Sequence, residues 1–282
     1  MQRKIGIIVV SYHNPDMTTH YVTKELPKLT TPYTLVVVNV AATREDSQRL
    51  ADACGLCLVG DGQKIAEESS QGYVIWDEEN LGYARGNNKG VRFLNTLGTF
   101  THYLFSNDDI EIRESDILDV LADSMEAHAD VACIGPRIIG IDGHDQSPHD
   151  RYISPYRLIG WKLFPGLRKK KQPSVLLSNE KPSSRYTYWV CGAFMMVNAE
   201  SFLKAKMFDE ATFLYFEEVI LSERFLQIGK RVYFDHSVSV VHYEGGSSNS
   251  SKKVQYERDS RIHYFRVYKK VNCLTLACCN YI

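Results

Sequence analysis

Residues 4–40 read KIGIIVVSYHNPDMTTHYVTKELPKLTTPYTLVVVNV. Two continuous apolar runs stand out in it, Ile5 to Val10 and Leu35 to Val38, both rich in β-branched residues. Runs without polar alternation suit strands covered on both faces, as in a parallel sheet. Residues 15 to 29 lie between them and are long enough for a crossover helix. Strand, helix, strand is how a doubly wound α/β fold begins.

The pattern continues outward from there. Thr43 to Ala53 predicts a second helix, started by Thr43 with acids in its first turn. Tyr73 to Trp76 predicts a strand, Ala84 to Leu97 a periodic helix, and Tyr103 to Phe105 another strand. This order implies a mainly parallel, doubly wound sheet with helices on both faces. Ligands of such sheets bind at the carboxyl ends of the strands, so the polar residues after each strand are the candidates. A helix over residues 113–128 and a strand over Val131 to Gly135 follow. Between Arg137 and Arg185 the periodicity breaks, and Pro148, Pro155, Pro165, Pro173 and Pro182 make up five of the nine prolines. That predicts a long functional loop region. Tyr188 to Val197 then reads as a strand, Phe216 to Gln227 as a helix, Val232 to Val241 as a strand pair, and Lys252 to Val271 as a basic, aromatic-rich helix.

A chain of 282 residues, 44% hydrophobic and 24% charged, is an ordinary globular protein able to bury a core without staples. A net charge of −1 gives no reason to expect nucleic acid as a partner. The densest basic run, Arg168-Lys169-Lys170-Lys171, reads most simply as a solvated loop. The sharper reading is peripheral contact with an anionic membrane or a phosphate-bearing acceptor. Seven cysteines, an odd number, suit free thiols in a reducing compartment. Cys54 and Cys57 have CxxC spacing but no second pair to complete a zinc site. The start MQRKIGIIVVSY reads as a charged tip leading into a strand, and no run reaches the ~18 apolar residues of a bilayer span. A cytoplasmic location is the expectation, with contact at the inner face of the membrane as its extension.

Four segments carry chemistry. Ser106-Asn107-Asp108-Asp109 follows a buried strand, and carboxylates there suit a hard divalent cation shared with substrate phosphates, although Asn and Asp also favour plain turns. Glu217 and Glu218 follow the aromatic run Phe213 to Phe216, which would desolvate a carboxylate and fit it to act as a base. Acids there could also simply favour a helix start. His242 ends an apolar strand before Glu244-Gly245-Gly246-Ser247-Ser248, a loop able to offer backbone N–H groups to phosphate, with the histidine as a metal ligand. In residues 79–88, ENLGYARGNN, the glycines would let a ligand approach the backbone at a helix start.

Together these segments resemble family 2 glycosyltransferases of the GT-A fold, in particular the rhamnosyltransferase-like branch. The resemblance spans residues 4 to 270 and rests on seven motifs in order: VVSYHNP, VVVNVAAT, ENLGYARGNNKGV, FSNDDIEI, WVCGAFMMVNAESF, FDEATFLYFEEVILSERF and VVHYEGGSS. It implies one GT-A domain over 1–282, with a nucleotide-sugar half over 1–110 and an acceptor and catalytic half over 111–282. It implies Ser11, Tyr12, Asn39, Asn80, Gly82, Asn88, Asn107 and Asp108 around the donor nucleotide. Asp109 and His242 would hold Mn2+ or Mg2+, and Glu218 would be the base with Glu217 as its support. Trp189, Cys191 and Gly192 would floor the acceptor site. The implied reaction is single-displacement transfer, with inversion, from a UDP- or dTDP-sugar to a glycan or glycolipid hydroxyl. The chain departs from the pattern at Asn39 and Glu218, where Asp is usual, and at Ile220, where an acid is common. A degenerate nucleotide-sugar-binding module is the non-enzymatic rival. A nucleotidyltransferase is disfavoured because Ser11 to Pro15 lacks a basic, glycine-rich loop.

Overall fold

The computed structural model describes residues 3–60, 72–150, 154–164, 183–243 and 250–280. Strand β1 (Ile5–Tyr12) leads into helix α1 (Pro15–His20). The helical path goes on through a wider turn at Tyr21–Glu25 and a tighter one at Leu26–Lys28, so the crossover expected over 15–29 is present with changing pitch. β2 (Tyr33–Val40) follows, then α2 (Arg44–Cys54), which starts in a reciprocal capping box between Thr43 and Asp46. Next come β3 (Cys57–Leu58), β4 (Tyr73–Asp77), α3 (Gly82–Leu94), β5 (His102–Ser106), β6 (Ile110–Ile112) and α4 (Ile117–Glu126). The second half contains β7 (Val131–Gly140), α5 (Pro155–Leu163), β8 (Arg185–Thr187), β9 (Phe194–Asn198) and α6 (Ala199–Lys204). It continues with α7 (Glu217–Gln227), β10 (Arg231–His242), α8 (Ser250–His263) and α9 (Cys273–Asn280).

One sheet joins both halves, in the order β3-β4-β2-β1-β5-β9-β7-β10-β6, with β8 also paired to β10. The strands from β3 to β5 run parallel; β9 is antiparallel to both β5 and β7, and β6 is antiparallel to β10. The chain winds outward from β1 and returns to β5 on its other side. The carboxyl ends of β1 and β5 therefore flank the topological switch point, where doubly wound sheets bind ligands.

Strand periodicity assigns the faces. Ile5, Ile7 and Val9 join Leu50, Leu118 and Leu121 in a core under α2 and α4. Ile8 joins Val36, Val38, Val91, Phe202 and Phe225 in a core on the other face, under α3, α6 and α7. Gly86 and Gly90 let α3 lie close on this sheet, since a Cβ on Gly90 would stand 2.5 Å from Ile8 Cγ2. Gly86, whose place in the sequence suggested ligand approach, meets Val10 of β1 in this helix–sheet contact. A third cluster gathers Phe216, Val219, Ile220, Tyr264, Phe265 and Cys279 with Leu158 and Ile159, forming the C-terminal subregion.

Several boundaries differ from the sequence expectation. β7 runs five residues past Gly135, because β10 pairs alongside it as far as His242 opposite Gly140. The 137–185 stretch also contains α5 and β8, and Pro155 sits in the first turn of α5, where its missing N–H costs nothing. The strand expected over Tyr188 to Val197 is only β9. Residues 188–189 are instead held by His149, whose N–H donates to the Trp189 carbonyl (3.0 Å) and whose carbonyl accepts from Trp189 (3.1 Å). The expected strand pair at 232–241 is one long strand, irregular between Asp235 and Ser239. The basic run 168–171 and the loop 244–249 lie outside the described residues. No disulfide forms among the seven cysteines. Among the described residues no helix is long and apolar enough to cross a membrane.

Candidate active site

Ser11, at the end of β1, is buried. Its hydroxyl lies 2.7 Å from the hydroxyl of Thr18 on α1, and Thr18 donates to Asp108 Oδ2 at 2.6 Å. Asp108 is thus turned back toward α1. Burial pushes its carboxyl up to about 6, with Asp109 adding to the shift and the Thr18 hydrogen bond opposing it. Tyr12 follows at the strand end, its ring 4.3 Å from that of His13.

Asp109 points elsewhere. β6 and β10 pair so that His242 stands opposite Ile110, and the Tyr243 N–H donates to the Asp109 carbonyl at 3.0 Å. This register brings His242 Nε2 to 3.2 Å from Asp109 Oδ1. His242 Nδ1 lies 2.7 Å from Gln146 Oε1 and so donates to it. In the neutral ring Nε2 is then an acceptor, and Asn107 Nδ2 lies 3.3 Å from it. With the ring neutral, a carboxylate oxygen and an imidazole lone pair face each other, an arrangement that a shared cation stabilises. Their separation is close to the ~3.0 Å between adjacent ligands of an octahedral ion with bonds of ~2.1 Å. Among the described residues no group of three or more His, Cys, Asp or Glu side chains could hold a metal. Two ligands with substrate oxygens and water completing the shell is the usual arrangement for magnesium-type sites.

The acid pair sits at the start of α7. Tyr215 and Phe216 just before it have φ of 72° and 70°, a left-handed conformation costing ~1–2 kcal/mol per non-glycine residue. Such strain is characteristic of functional sites. Glu217 is 2% exposed, and its Oε1 has no hydrogen-bond partner among the described residues. Glu218 Oε1 accepts from the Gly192 N–H at 2.9 Å. Burial raises both carboxyls; Glu218 adds to the rise of Glu217, while the Gly192 hydrogen bond holds Glu218 back. Burial thus favours the neutral form at both positions, and more strongly at Glu217. Ile220, where an acid is common, is fully buried in the third cluster.

Gly192 links the acids to the Asp109–His242 pair. The Asn107 N–H donates to the carbonyl of Ala193, the residue after Gly192, at 2.9 Å. Trp189 stacks on His149 (3.7 Å between centroids, 12° between planes), and its buried Nε1 has no hydrogen-bond partner among the described residues. The Cys191 N–H lies 3.4 Å from Ser147 Oγ. The sequence-expected acceptor residues thus lie on one connector between β8 and β9.

Among the residues expected around a donor, Asn39 stands level with Ser11 across β1 and β2, and its Nδ2 donates to Ser47 Oγ at 3.0 Å. Asn80 Oδ1 accepts from the Gly82 N–H at 3.1 Å. Gly82 (φ 65°) faces the strap before α7, where an added Cβ would stand 2.1 Å from the Phe213 carbonyl oxygen. Asn88 is buried; its Nδ2 donates to Phe208 O and Glu210 Oε1, and its Oδ1 accepts from Phe208 N, all at 3.0–3.1 Å. Both amide hydrogens of Asn88 are thus used within the fold, so it acts as a latch for the strap where a donor contact was expected. Sequence reading missed Thr18, Gln146 and Tyr83. Thr18 and Gln146 carry no local signal, because their partners are 90 and 96 residues away. Tyr83 lay inside a quoted motif.

The architecture is that of the GT-A fold, a doubly wound sheet. No family model matches the chain. It is 24% identical over 190 residues to the rhamnosyltransferase WbbL of Escherichia coli (strain K12), covering 65% of this chain and 69% of the relative. It is 24% identical to the N-acetylglucosaminyl-diphospho-decaprenol L-rhamnosyltransferase of Mycobacterium tuberculosis, covering 60% of this chain and 58% of the relative. The hexosyltransferase Agl10 of low-salt glycan biosynthesis in Haloferax volcanii is 29% identical over half of this chain and 41% of its own length. Among solved structures, the mannosyltransferase PcManGT from Pyrobaculum calidifontis, in complex with GDP-Man and Mn2+, matches with a TM-score of 0.60 at 12% identity, covering all of this chain and 70% of its own. GalNAc-T7 with UDP, GalNAc and Mn2+ matches at 0.58 and 16% identity, over 95% of this chain and 49% of its own. The chain is thus similar to glycosyltransferases of glycan assembly in sequence and shares the GT-A fold of nucleotide-sugar transferases.

Proposed function

We propose that the protein transfers a sugar from a uridine or thymidine diphosphate donor to a hydroxyl of a glycan or glycolipid, with inversion at the anomeric carbon. The observation that carries this reading is the pairing of Asp109 with His242, joined through Asn107, Ala193 and Gly192 to the half-buried Glu218. One partner comes from each half of the chain, so the donor and acceptor halves would meet at the metal. Mn2+ or Mg2+ held there would neutralise charge on the departing nucleoside diphosphate. Ser11, Tyr12 and Asn39 line the strand ends that would receive the nucleoside. Glu218, ionised, would take the proton from the acceptor hydroxyl as its oxygen attacks. Glu217, protonated and neutral, would keep a second negative charge away from that hydroxyl. Trp189 and Cys191 belong to the connector that would floor the acceptor.

Calorimetry of UDP and dTDP with and without manganese tests this reading. Binding is expected only with the metal, and Asp109→Ala is expected to abolish the metal-dependent part. Equal affinity for wild type and variant under both conditions would remove the metal assignment. Tighter binding of GDP or CDP would remove the assignment of the base.

A further inference from the structure

Gly192 has no side chain because two oxygens fill the space. A Cβ there would stand 2.7 Å from Glu218 Oε1 and 2.8 Å from the Tyr83 hydroxyl. Glycine leaves this room but gives up backbone rigidity. Its peptide groups must then be oriented from outside. Tyr83 does so, donating its hydroxyl to the Gly192 carbonyl at 2.8 Å, while the Gly192 N–H donates to Glu218 Oε1 at 2.9 Å. Tyr83 is itself well anchored. Its N–H donates to the Phe213 carbonyl at 2.9 Å, its ring meets Phe208 edge-on at 5.5 Å, and it opens α3, which lies close on the sheet.

We infer that Tyr83 is a positioning residue for the base, aligning through Gly192 the N–H that holds the Glu218 carboxylate. This rests on the reading of Glu218 as the base. The start of α3 thus grips both the strap that leads into the acid pair, at Phe213, and the peptide beneath it, at Gly192. A loop assigned from sequence to the donor is also the mount of the acceptor's base. The Gly192 N–H favours the ionised form of Glu218 against the effect of burial, so loosening it raises the base's pKa. The titratable groups near Glu218 are Glu217 beside it, Tyr83 from α3 and Cys133 from β7; Cys191 acts on Tyr83.

The experiment compares Tyr83→Phe, Glu218→Gln and the double variant by kcat, donor KM and the pH profile of kcat. Tyr83→Phe is expected to lower kcat roughly 3- to 10-fold, the scale of one lost hydrogen bond, with donor KM unchanged. Its acid limb is expected to move to higher pH, and in the Glu218→Gln background Tyr83→Phe is expected to add nothing. Gly192→Ala, which forces a methyl between the two oxygens, should move the limb the same way. An inactive Glu218→Gln beside a Tyr83→Phe with normal kcat and an unmoved profile overturns this inference alone. A reduced kcat with an unmoved profile also overturns it, since that is loss of packing. A fully active Glu218→Gln overturns both the inference and the reading beneath it.

Discussion

The donor side and the acid side of the cleft are built on opposite principles. At the ends of β1, β2 and β5 and within α3, polar side chains are engaged within the fold: Ser11 with Thr18, Thr18 with Asp108, Asn39 with Ser47, and Asn88 with the strap at 208–210. At the start of α7, two left-handed aromatic residues precede two carboxyls, one of which keeps a buried oxygen with no hydrogen-bond partner among the described residues. Satisfied networks give a rigid, pre-formed floor. Strain and an unmatched acid are destabilising features retained where chemistry needs a displaced pKa. Changes at the strand ends and α3 are therefore expected to register mainly in stability, and changes at the acid pair mainly in turnover.

The largest effect should come from Glu218→Gln. Glutamine keeps the shape and can still accept from the Gly192 N–H through its amide oxygen, but it cannot take a proton. Removing a general base typically costs ~10²–10⁴ in rate. Turnover is expected to fall on that scale while donor affinity, measured by calorimetry, stays near native. A variant that turns over normally would make the acid segment structural and erase the contrast.

Asn88→Ala should behave in the opposite way. It leaves the buried N–H and carbonyl of Phe208 without their side-chain partner, at a cost of about 1–3 kcal/mol. A denaturant midpoint lowered accordingly, with donor affinity unchanged, would sharpen the contrast. Lost donor affinity at native stability would return Asn88 to the nucleotide.

Much of the fold was legible because its parallel strands are covered on both faces, and such strands announce themselves as unbroken apolar runs. Ile5 to Val10 and Leu35 to Val38 did so. β6 and β3 did not, being two or three residues long, and β6 is held by a strand distant in sequence. The extension of β7 beyond Gly135 was hidden for a related reason: its continuation is fixed by β10, about a hundred residues later. The residue types of the site were legible at Asp109, His242 and the Glu217-Glu218 pair, because charged groups at strand and helix ends stand out. Their connections were not. Nothing local tells that Gln146 sets the tautomer of His242, or that Tyr83 reaches Gly192, since both are contacts over roughly a hundred residues. Glycines were the most misleading. Gly82 and Gly86 permit close approach, but what approaches them is protein.

The smallest effect should be on stability against pH, and it isolates the buried acid. Burial and the neighbouring Glu218 raise the Glu217 carboxyl well above its ordinary value in the folded chain. In the unfolded chain it titrates near ~4.3. Below that pH both states hold the proton, so the group makes no difference to folding. As pH rises, the unfolded state ionises first while the folded state keeps its proton, and stability is lost progressively up to the raised folded pKa. Glutamine at this position has no proton to lose. Glu217→Gln is therefore expected to melt at or slightly below the wild type at pH 4 and above it at pH 8, with the difference widening between. Glu218 also titrates upward from the ordinary range in the folded chain, and it does so in both proteins, so its contribution largely cancels in the comparison. Thermal melts of the two proteins across this range read the difference directly. Parallel curves would mean that Glu217 ionises as easily folded as unfolded. The acid side would then hold two charges at neutral pH, and the proton assigned to Glu217 would have no place in the mechanism.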